Sequence, residues 1–126
     1  MTAAAPTSRQ RLGAAGEAAA LKRLEAAGLK PVARNYHSRH GEIDLIMLDG
    51  ATLVFVEVRA RGNPLGGGAL ASVGVAKQGR LLRAAAEFLA SFPAHAQRTC
   101  RFDVVGYEGH GSAARCEWVR QAFEAH

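Results

Sequence analysis

The chain has 126 residues, 48% of them hydrophobic and 21% charged, and a formal net charge of +5. These values predict one globular domain over residues 9–126, with residues 1–8 as a disordered tail. No apolar run approaches the roughly 20 residues that cross a bilayer, and the chain does not begin with a secretory signal, so we expect a cytoplasmic protein without a membrane partner.

The positive charge is carried mainly by arginine, with 13 Arg against 3 Lys. Arginine presents a rigid fork of hydrogen-bond donors that suits phosphate oxygens. This excess therefore favours a nucleic acid over acidic proteins or membranes as the partner. A compositional bias towards Ala, Gly and Arg is the alternative explanation.

The first predicted elements are a helix and a strand. Over residues 9–27 apolar residues recur at three- and four-residue steps, alanine is abundant, and Gly28 suits a C-terminal cap, so we predict a helix. Glu17 lies on this helix, either as a solvated residue or as part of a site. Residues 29–37 are predicted to form the first strand.

Residues 41–59 are predicted to form a β-hairpin. Two apolar, β-branched runs flank the dipeptide Asp49-Gly50, which is the strongest short-range hairpin signal. If this dipeptide is a two-residue turn, Leu48 faces Ala51. Because side chains alternate between the two faces of a sheet, this register also fixes the neighbours of every charged residue in the hairpin.

Four charged residues gather at the open end of this hairpin: Glu42, Asp44, Glu57 and Arg59. In the predicted register Glu42 lies opposite Glu57, and Asp44 is diagonally adjacent to Glu57. Like charges that face each other destabilise a ladder, and carboxylates that share a site raise a pKa or recruit a cation. The pattern therefore favours a divalent-metal site over a solvent-exposed strand end with a salt bridge.

The segment after the hairpin is rich in glycine at residues 62–68 and lacks the Gly-Lys-Ser/Thr of a phosphate-binding P-loop. It is expected to be a mobile flap beside the carboxylates or a plain flexible connection. Ser72 is expected to cap a second helix over about residues 73–92. Lys77 and Arg80 lie near one face of this helix, where they are either solvated or grip a phosphate backbone.

The end of the chain is predicted to hold a strand at residues 101–107, a short strand at 117–119 and a final turn at 121–124. Cys100 and Cys116 form no CxxC pair, and we expect small buried apolar residues rather than a disulfide. The element order of helix, strand, hairpin, helix, strand and strand predicts a small α/β or α+β domain.

Five motifs along the chain resemble those of the YraN-like family, also called uncharacterised protein family UPF0102. They are Gly16-Glu17, Gly41-Glu42-Ile43-Asp44, residues 55–61 (Phe-Val-Glu-Val-Arg-Ala-Arg), Lys77-Gln78 and residues 101–105 (Arg-Phe-Asp-Val-Val). This family resembles a branch of the PD-(D/E)XK nuclease superfamily and is similar to archaeal Holliday-junction resolvases. The resemblance implies a single-domain, restriction-endonuclease-like α/β fold with a central mixed sheet flanked by helices.

The resemblance also implies catalytic roles for Asp44, Glu57 and Arg59. Asp44 matches the metal-binding Asp, Glu57 matches the second acid of the E-x-K element, and Glu17 matches the first-helix Glu that resolvases bring to the same metal. Arg59 occupies the lysine position, and arginine, unlike lysine, cannot carry a proton to or from the reaction. The residues expected to support the site are Glu17, Glu42 and Gln78. The residues expected to contact nucleic acid are Arg39, Arg61, Lys77 and Arg80.

Phosphodiester hydrolysis needs a hard cation that polarises a phosphoryl oxygen and lowers the pKa of the attacking water. Mg²⁺ (or Mn²⁺) suits Asp44 and Glu57, since it needs only one or two carboxylates. We therefore expect a metal-dependent endonuclease that acts on structured or branched DNA, with a homodimer implied by the resemblance. The alternatives are a non-catalytic nucleic-acid-binding module and a protein-interaction module that uses the glycine-rich segment and the second helix.

Overall fold

The computed structural model describes residues 8–60, 73–108 and 115–124. The elements in chain order are α1 (Ser8–Ala26), β1 (Lys30–Ser38), β2 (Gly41–Asp49), β3 (Thr52–Ala60), α2 (Val75–Ser91), a 3-10 turn (Pro93–His95), β4 (Cys100–Glu108) and β5 (Arg115–Phe123). Residues 1–7 of the predicted tail, Arg61, the glycine-rich segment and Ser72 lie outside the described residues. Ser8 begins α1 and so does not belong to the tail.

The five strands form one mixed sheet in the order of the chain. Neighbouring strands are antiparallel except for β3 and β4, which are parallel. Parallel strands need a long crossover, and here the crossover contains α2. The sheet with a helix on each face confirms the predicted single α/β domain. Neither helix within the described residues is long and apolar enough to span a membrane.

Each face of the sheet has its own hydrophobic core. Leu81 and Phe88 of α2 pack with Phe55 on one face, and Ala20 and Leu24 of α1 pack on the other. β2 and β3 lie between these two cores, which is why their sequences are almost continuously apolar. A charged residue within either strand therefore loses its water unless it lies at a strand end.

The β2–β3 turn consists of Gly50 and Ala51, because Asp49 pairs with Thr52. The prediction that Leu48 faces Ala51 is therefore wrong by two residues. Gly50 has φ +61° at the first central position of the turn, which is where a type II′ turn requires glycine. A slip of two residues keeps every side chain on its predicted face but changes its partner across the ladder.

Asp103 is buried, with 1% exposure, and ties β4 to β5. Its carboxylate accepts hydrogen bonds from Arg101 Nε at 3.1 Å, Trp118 Nε1 at 2.9 Å and the Gln121 backbone nitrogen at 3.0 Å. Arg101 Nη1 also donates to Asp49 Oδ2 at 2.7 Å, which fixes the turn end of the hairpin. Asp103 thus has three partners, one of which, Arg101, links it to Asp49.

Two predicted boundaries are corrected by the structure. Helix α2 begins at Val75 with Gly74 at the N-cap and no side-chain cap, two residues later than expected. Strand β5 continues to Phe123, so the predicted turn at residues 121–124 is wrong. Gln121 has φ +48° in this strand. The strand continues past Gln121 because the Asp103 carboxylate accepts a hydrogen bond from its backbone N–H. Cys100 and Cys116 are free thiols, and they are half-buried where we expected buried residues.

We expect Asp103→Leu to destabilise the protein by about 3–5 kcal/mol, since Arg101 Nε, Trp118 Nε1 and the Gln121 backbone N–H all lose their acceptor. Urea unfolding followed by circular dichroism measures this loss. Glu108→Leu, at an exposed position of the same strand, is the matched control and should change stability by about 0.5 kcal/mol or less. Equal unfolding midpoints for the two variants would show that the network contributes little.

Candidate active site

Asp44 lies where β2 and β3 stop pairing. The paired region ends at Leu45 and Val56, and beyond it Asp44 Oδ2 accepts a hydrogen bond of 2.8 Å from the backbone nitrogen of Val58. The Asp44 carboxylate thus accepts the hydrogen bond that Val58 N–H would donate to a backbone carbonyl in a regular ladder. This arrangement holds the charged group in the gap between the two strands, where both faces of the sheet can reach it.

Glu57 is the neighbour of Asp44 across this gap and is 5% exposed. Burial, followed by the charge of Asp44, raises the pKa of Glu57 to about 7. Burial also raises the pKa of Asp44, against the opposing effect of the Val58 hydrogen bond. A side-chain hydrogen bond joins the two carboxyl groups. Near neutral pH the pair therefore holds a shared proton or attracts a cation.

Two basic side chains face the same oxygen of Glu57. Arg59 Nε lies 3.1 Å and Lys77 Nζ lies 3.6 Å from Glu57 Oε1. The N–H of Arg59 Nε does not point at this oxygen, and this buried donor has no acceptor within the described residues. The short Arg59–Glu57 distance is thus an ion pair without a hydrogen bond through Nε. Arg59 Nε–H is thus a buried donor without an acceptor among the described residues.

Glu17 reaches the site from α1. The side-chain amide of Asn35, with its nitrogen directed at Glu17, donates to both carboxylate oxygens at 3.0 and 3.2 Å. Burial, and then the charge of Asp44, raises the pKa of Glu17. Asn35 has φ +50° within β1, a left-handed conformation that asparagine tolerates better than most residues. Sequence reasoning missed Asn35, although asparagine is depleted in strands and its presence there was a usable signal.

Gly16 sets how closely α1 approaches the sheet. A Cβ at this position would lie 2.1 Å from Tyr107 Cε1, so the helix backbone rests directly on the ring. Burial, followed by the charges of Glu17 and Asp44, raises the pKa of Tyr107, which places its phenol beside the carboxylates. Gly16 and Tyr107 therefore determine the position from which Glu17 enters the site.

Glu42 and Gln78 make other contacts than a direct one with Glu57, although the charge of Glu42 is among the causes that raise the pKa of Asp44, after burial. Glu42 Oε1 is 2.9 Å from His37 Nδ1, its partner on β1, so the prediction that it faces Glu57 is wrong because the hairpin register differs. Gln78 Nε2 donates to the carbonyl oxygen of Val73 at 3.0 Å. Gln78 thus fastens the start of α2 and indirectly fixes the neighbouring Lys77.

The basic residues predicted to contact nucleic acid divide into two groups. Arg39, in the β1–β2 turn, and Arg80, on α2, are exposed. Arg39 Nε lies 3.5 Å from Glu87 Oε1, and Arg80 packs beside Gly41. Lys77 instead has its ammonium inside the carboxylate site. Nucleic-acid binding by these residues stays a prediction, and Arg61 lies outside the described residues.

The three predicted metal ligands do not form a ready-made metal site. Within residues 8–60, 73–108 and 115–124, no group of three or more His, Cys, Asp or Glu side chains is arranged to hold a metal ion. Asp44 and Glu57 nevertheless suit Mg²⁺ or Mn²⁺, since such an ion needs only one or two carboxylates and keeps several waters. The elevated pKa of Glu57 shows that this pair favours an added positive charge. Both carboxylate oxygens of Glu17 accept hydrogen bonds from the Asn35 amide.

The structure thus defines a small α/β protein with a buried carboxylate pair at the open end of its central hairpin. Its sequence matches the model of uncharacterised protein family UPF0102 over residues 16–107, and the chain belongs to this family, which confirms the YraN-like resemblance. Similar UPF0102 proteins come from Bordetella petrii (55% identity over 127 residues, 95% of this chain and 73% of that protein), Ectopseudomonas mendocina (48% over 119 residues, 94% and 99%) and Xanthomonas campestris pv. campestris (52% over 118 residues, 94% and 95%).

We expect Gly16→Ala to destabilise the protein by about 1–3 kcal/mol, because the added methyl group overlaps the Tyr107 ring. This loss should outweigh the gain in helix propensity, which is about 1 kcal/mol. Gly79→Ala is the matched control, since the nearest atom to its added Cβ is Arg83 Nη1 at 3.4 Å. It should be neutral or stabilising. In a Tyr107→Ala background Gly16→Ala should lose most of its cost; an unchanged cost in this double-mutant cycle would contradict the contact.

Glu57 should make stability depend on pH. Its pKa is about 7 in the folded protein against an ordinary value of 4.5, so the folded state keeps a proton that the unfolded state releases. This stabilising contribution is complete below about pH 4.5 and is lost as the pH rises through about 7, by up to about 1.4 kcal/mol per pH unit. Glu57→Gln abolishes the titration. Its urea midpoint should therefore rise relative to that of the unmodified protein over this window, and a constant difference would contradict the prediction.

Proposed function

We propose that this protein is a metal-dependent endonuclease that acts on structured or branched DNA. The observation that carries the proposal is the buried Asp44–Glu57 pair with Arg59 and Lys77 at one of its oxygens. Carboxylates, cations and an elevated pKa in one place are typical of a catalytic centre. The same residue types are those that phosphodiester hydrolysis requires.

Asp44 and Glu57 would hold Mg²⁺ or Mn²⁺, and that ion would supply Lewis-acid activation of a phosphoryl oxygen and of water. In hydrolysis water forms the new bond to phosphorus, one ester bond breaks, and the departing oxygen leaves as a hydroxyl. Negative charge grows on the phosphoryl oxygens during this change. The Arg59 side chain is 33% exposed beside Glu57, so its guanidinium could help to place a phosphate at the site while Nε stays next to Glu57.

The surface beside the site supports a polyanionic substrate. Arg39 and Arg80 are exposed around the β1–β2 turn, and the chain has a net charge of +5. Contacts between basic side chains and backbone phosphates supply most of the affinity for nucleic acids without regard to sequence. The preference for branched DNA follows from the resemblance to resolvases. Cutting two strands of a junction needs two sites, so a homodimer stays a prediction.

A second candidate is a non-catalytic nucleic-acid-binding module with the same fold. The observation that favours it is that Arg59 and Lys77 already neutralise Glu57 within the protein. An internally balanced cluster can be structural and does not require a metal. Such a protein would bind nucleic acid with steep salt dependence and show no turnover.

A cleavage panel distinguishes these two functions. Labelled four-way junction, flap and duplex DNA are incubated with the protein in Mg²⁺ or Mn²⁺. We expect cleavage of branched DNA, and a loss of about 100-fold or more in rate for Asp44→Asn and Glu57→Gln. Glu108→Gln, at the exposed end of β4, is the matched control and should cut normally.

Each outcome of the panel decides between the functions. Cleavage that survives both Asp44→Asn and Glu57→Gln would exclude this site as the catalytic centre. No cleavage by the unmodified protein, together with salt-dependent binding, would replace the nuclease with the binding module. Binding that is insensitive to salt would contradict both.

A further inference from the structure

We propose that Lys77, from α2, supplies the ammonium group that contacts the scissile phosphate, in place of a lysine at position 59. The inference rests on the proposed phosphodiesterase function and assigns a further catalytic residue to that site. Its starting point is a position: Lys77 Nζ lies 3.6 Å from Glu57 Oε1, although Lys77 belongs to a different element of the fold.

The ammonium of Lys77 faces the carboxylate pair from outside the strand. Lys77 Nζ and Arg59 Nε approach the same oxygen, Glu57 Oε1, at 3.6 and 3.1 Å. Asp44 lies beside Glu57, with its Oδ2 bonded to the backbone nitrogen of Val58. Lys77 is therefore the cation that a second element of the fold brings to the two acids. A phosphate held at these acids would lie within reach of its ammonium.

The main chain around Lys77 is fixed, whereas its side chain keeps some freedom. The Gln78 backbone nitrogen donates to Gly74 O at 2.9 Å, and Gln78 Nε2 donates to Val73 O at 3.0 Å. Val73 is itself buried in the core under α2. These contacts anchor the first turn of the helix over the sheet. The Lys77 side chain is 27% exposed, so it opens to the surface from which a substrate would enter.

Lysine and arginine differ in what they can do at this place. The lysine ammonium is a compact charge with three donors on a flexible stem, so it can turn from Glu57 to a phosphoryl oxygen without losing its contact with the site. The Arg59 guanidinium is planar, and its Nε is already buried beside Glu57. We therefore assign stabilisation of the developing charge to Lys77 and placement of Glu57 and the substrate to Arg59.

Single-turnover cleavage of a labelled four-way junction in Mg²⁺ tests this assignment. Lys77→Met keeps the aliphatic stem and removes the charge, and Lys77→Arg keeps the charge. We expect Lys77→Met to lower the cleavage rate by about 100-fold while the dissociation constant of the junction, measured by fluorescence anisotropy in EDTA, changes by less than about threefold. Lys77→Arg should retain more activity than Lys77→Met. Arg83→Met, at an exposed position of the same helix, is the matched control.

Arg59→Lys in the Lys77→Met background is the decisive variant. If an ammonium at this site is what the reaction needs, the new lysine should recover the rate by about tenfold or more, which purely structural loss would not allow. Thermal unfolding of each variant checks that it is folded.

Three results would overturn the inference and leave the proposed function in place. Lys77→Met that cuts as fast as the unmodified protein would remove Lys77 from the reaction. A weaker dissociation constant with a salt slope reduced by about one and an unchanged rate would make Lys77 a backbone-phosphate contact instead. If Lys77→Met is inactive and Arg59→Lys restores nothing, Lys77 would have only a structural role. An unmodified protein that cuts no substrate would overturn the proposed function itself, and this inference with it.

Discussion

A buried carboxylate beside a half-buried one is the constraint on which the rest of the structure depends. Asp44 and Glu57 lie at the end of strands whose other residues are almost all apolar. Their repulsion and their loss of water oppose ionisation, as the elevated pKa of Glu57 shows. Nearby basic side chains offset part of this cost. The basic side chains nearest to Glu57 come from its own strand and from α2.

The gap between β2 and β3 explains how elements on opposite faces of the sheet reach the same residue. A side chain within a regular strand points to one face only. Because Asp44 leaves the ladder and bonds to the backbone nitrogen of Val58, its charge affects Glu17 on α1 as well as Glu57 under α2. The site is therefore built through the sheet at its open end.

The sequence predicted the helices and strands, their order, and that Asp44 and Glu57 form a pair. It did not predict the residues that contact this pair from remote parts of the chain. The hairpin register was wrong because Asp49-Gly50 and Gly50-Ala51 are both plausible turns. The carboxylates still met because a slip of two residues preserves the face. Helical periodicity showed a basic face containing Lys77, yet only the packing of α2 reveals that Glu57 lies beneath it. The contact of the Asn35 amide with Glu17 also joins residues that are remote in sequence, so the sequence alone could not reveal it.

The hairpin carries a second charged cluster at its turn end, and comparing the two clusters separates structure from chemistry. Around Asp103 both carboxylate oxygens accept well-formed hydrogen bonds, and Arg101 is shared with Asp49. At the open end, a buried N–H of Arg59 has no acceptor within the described ranges, and burial, followed by the charge of Asp44, raises the pKa of Glu57 to about 7. A network in which every polar group has a hydrogen-bond partner stabilises a fold. A buried polar group without a partner costs stability and is retained where a ligand can supply that partner. At this end an added cation would stabilise the carboxylates, and an anionic oxygen would give the Arg59 N–H an acceptor. A metal-bound phosphodiester offers both.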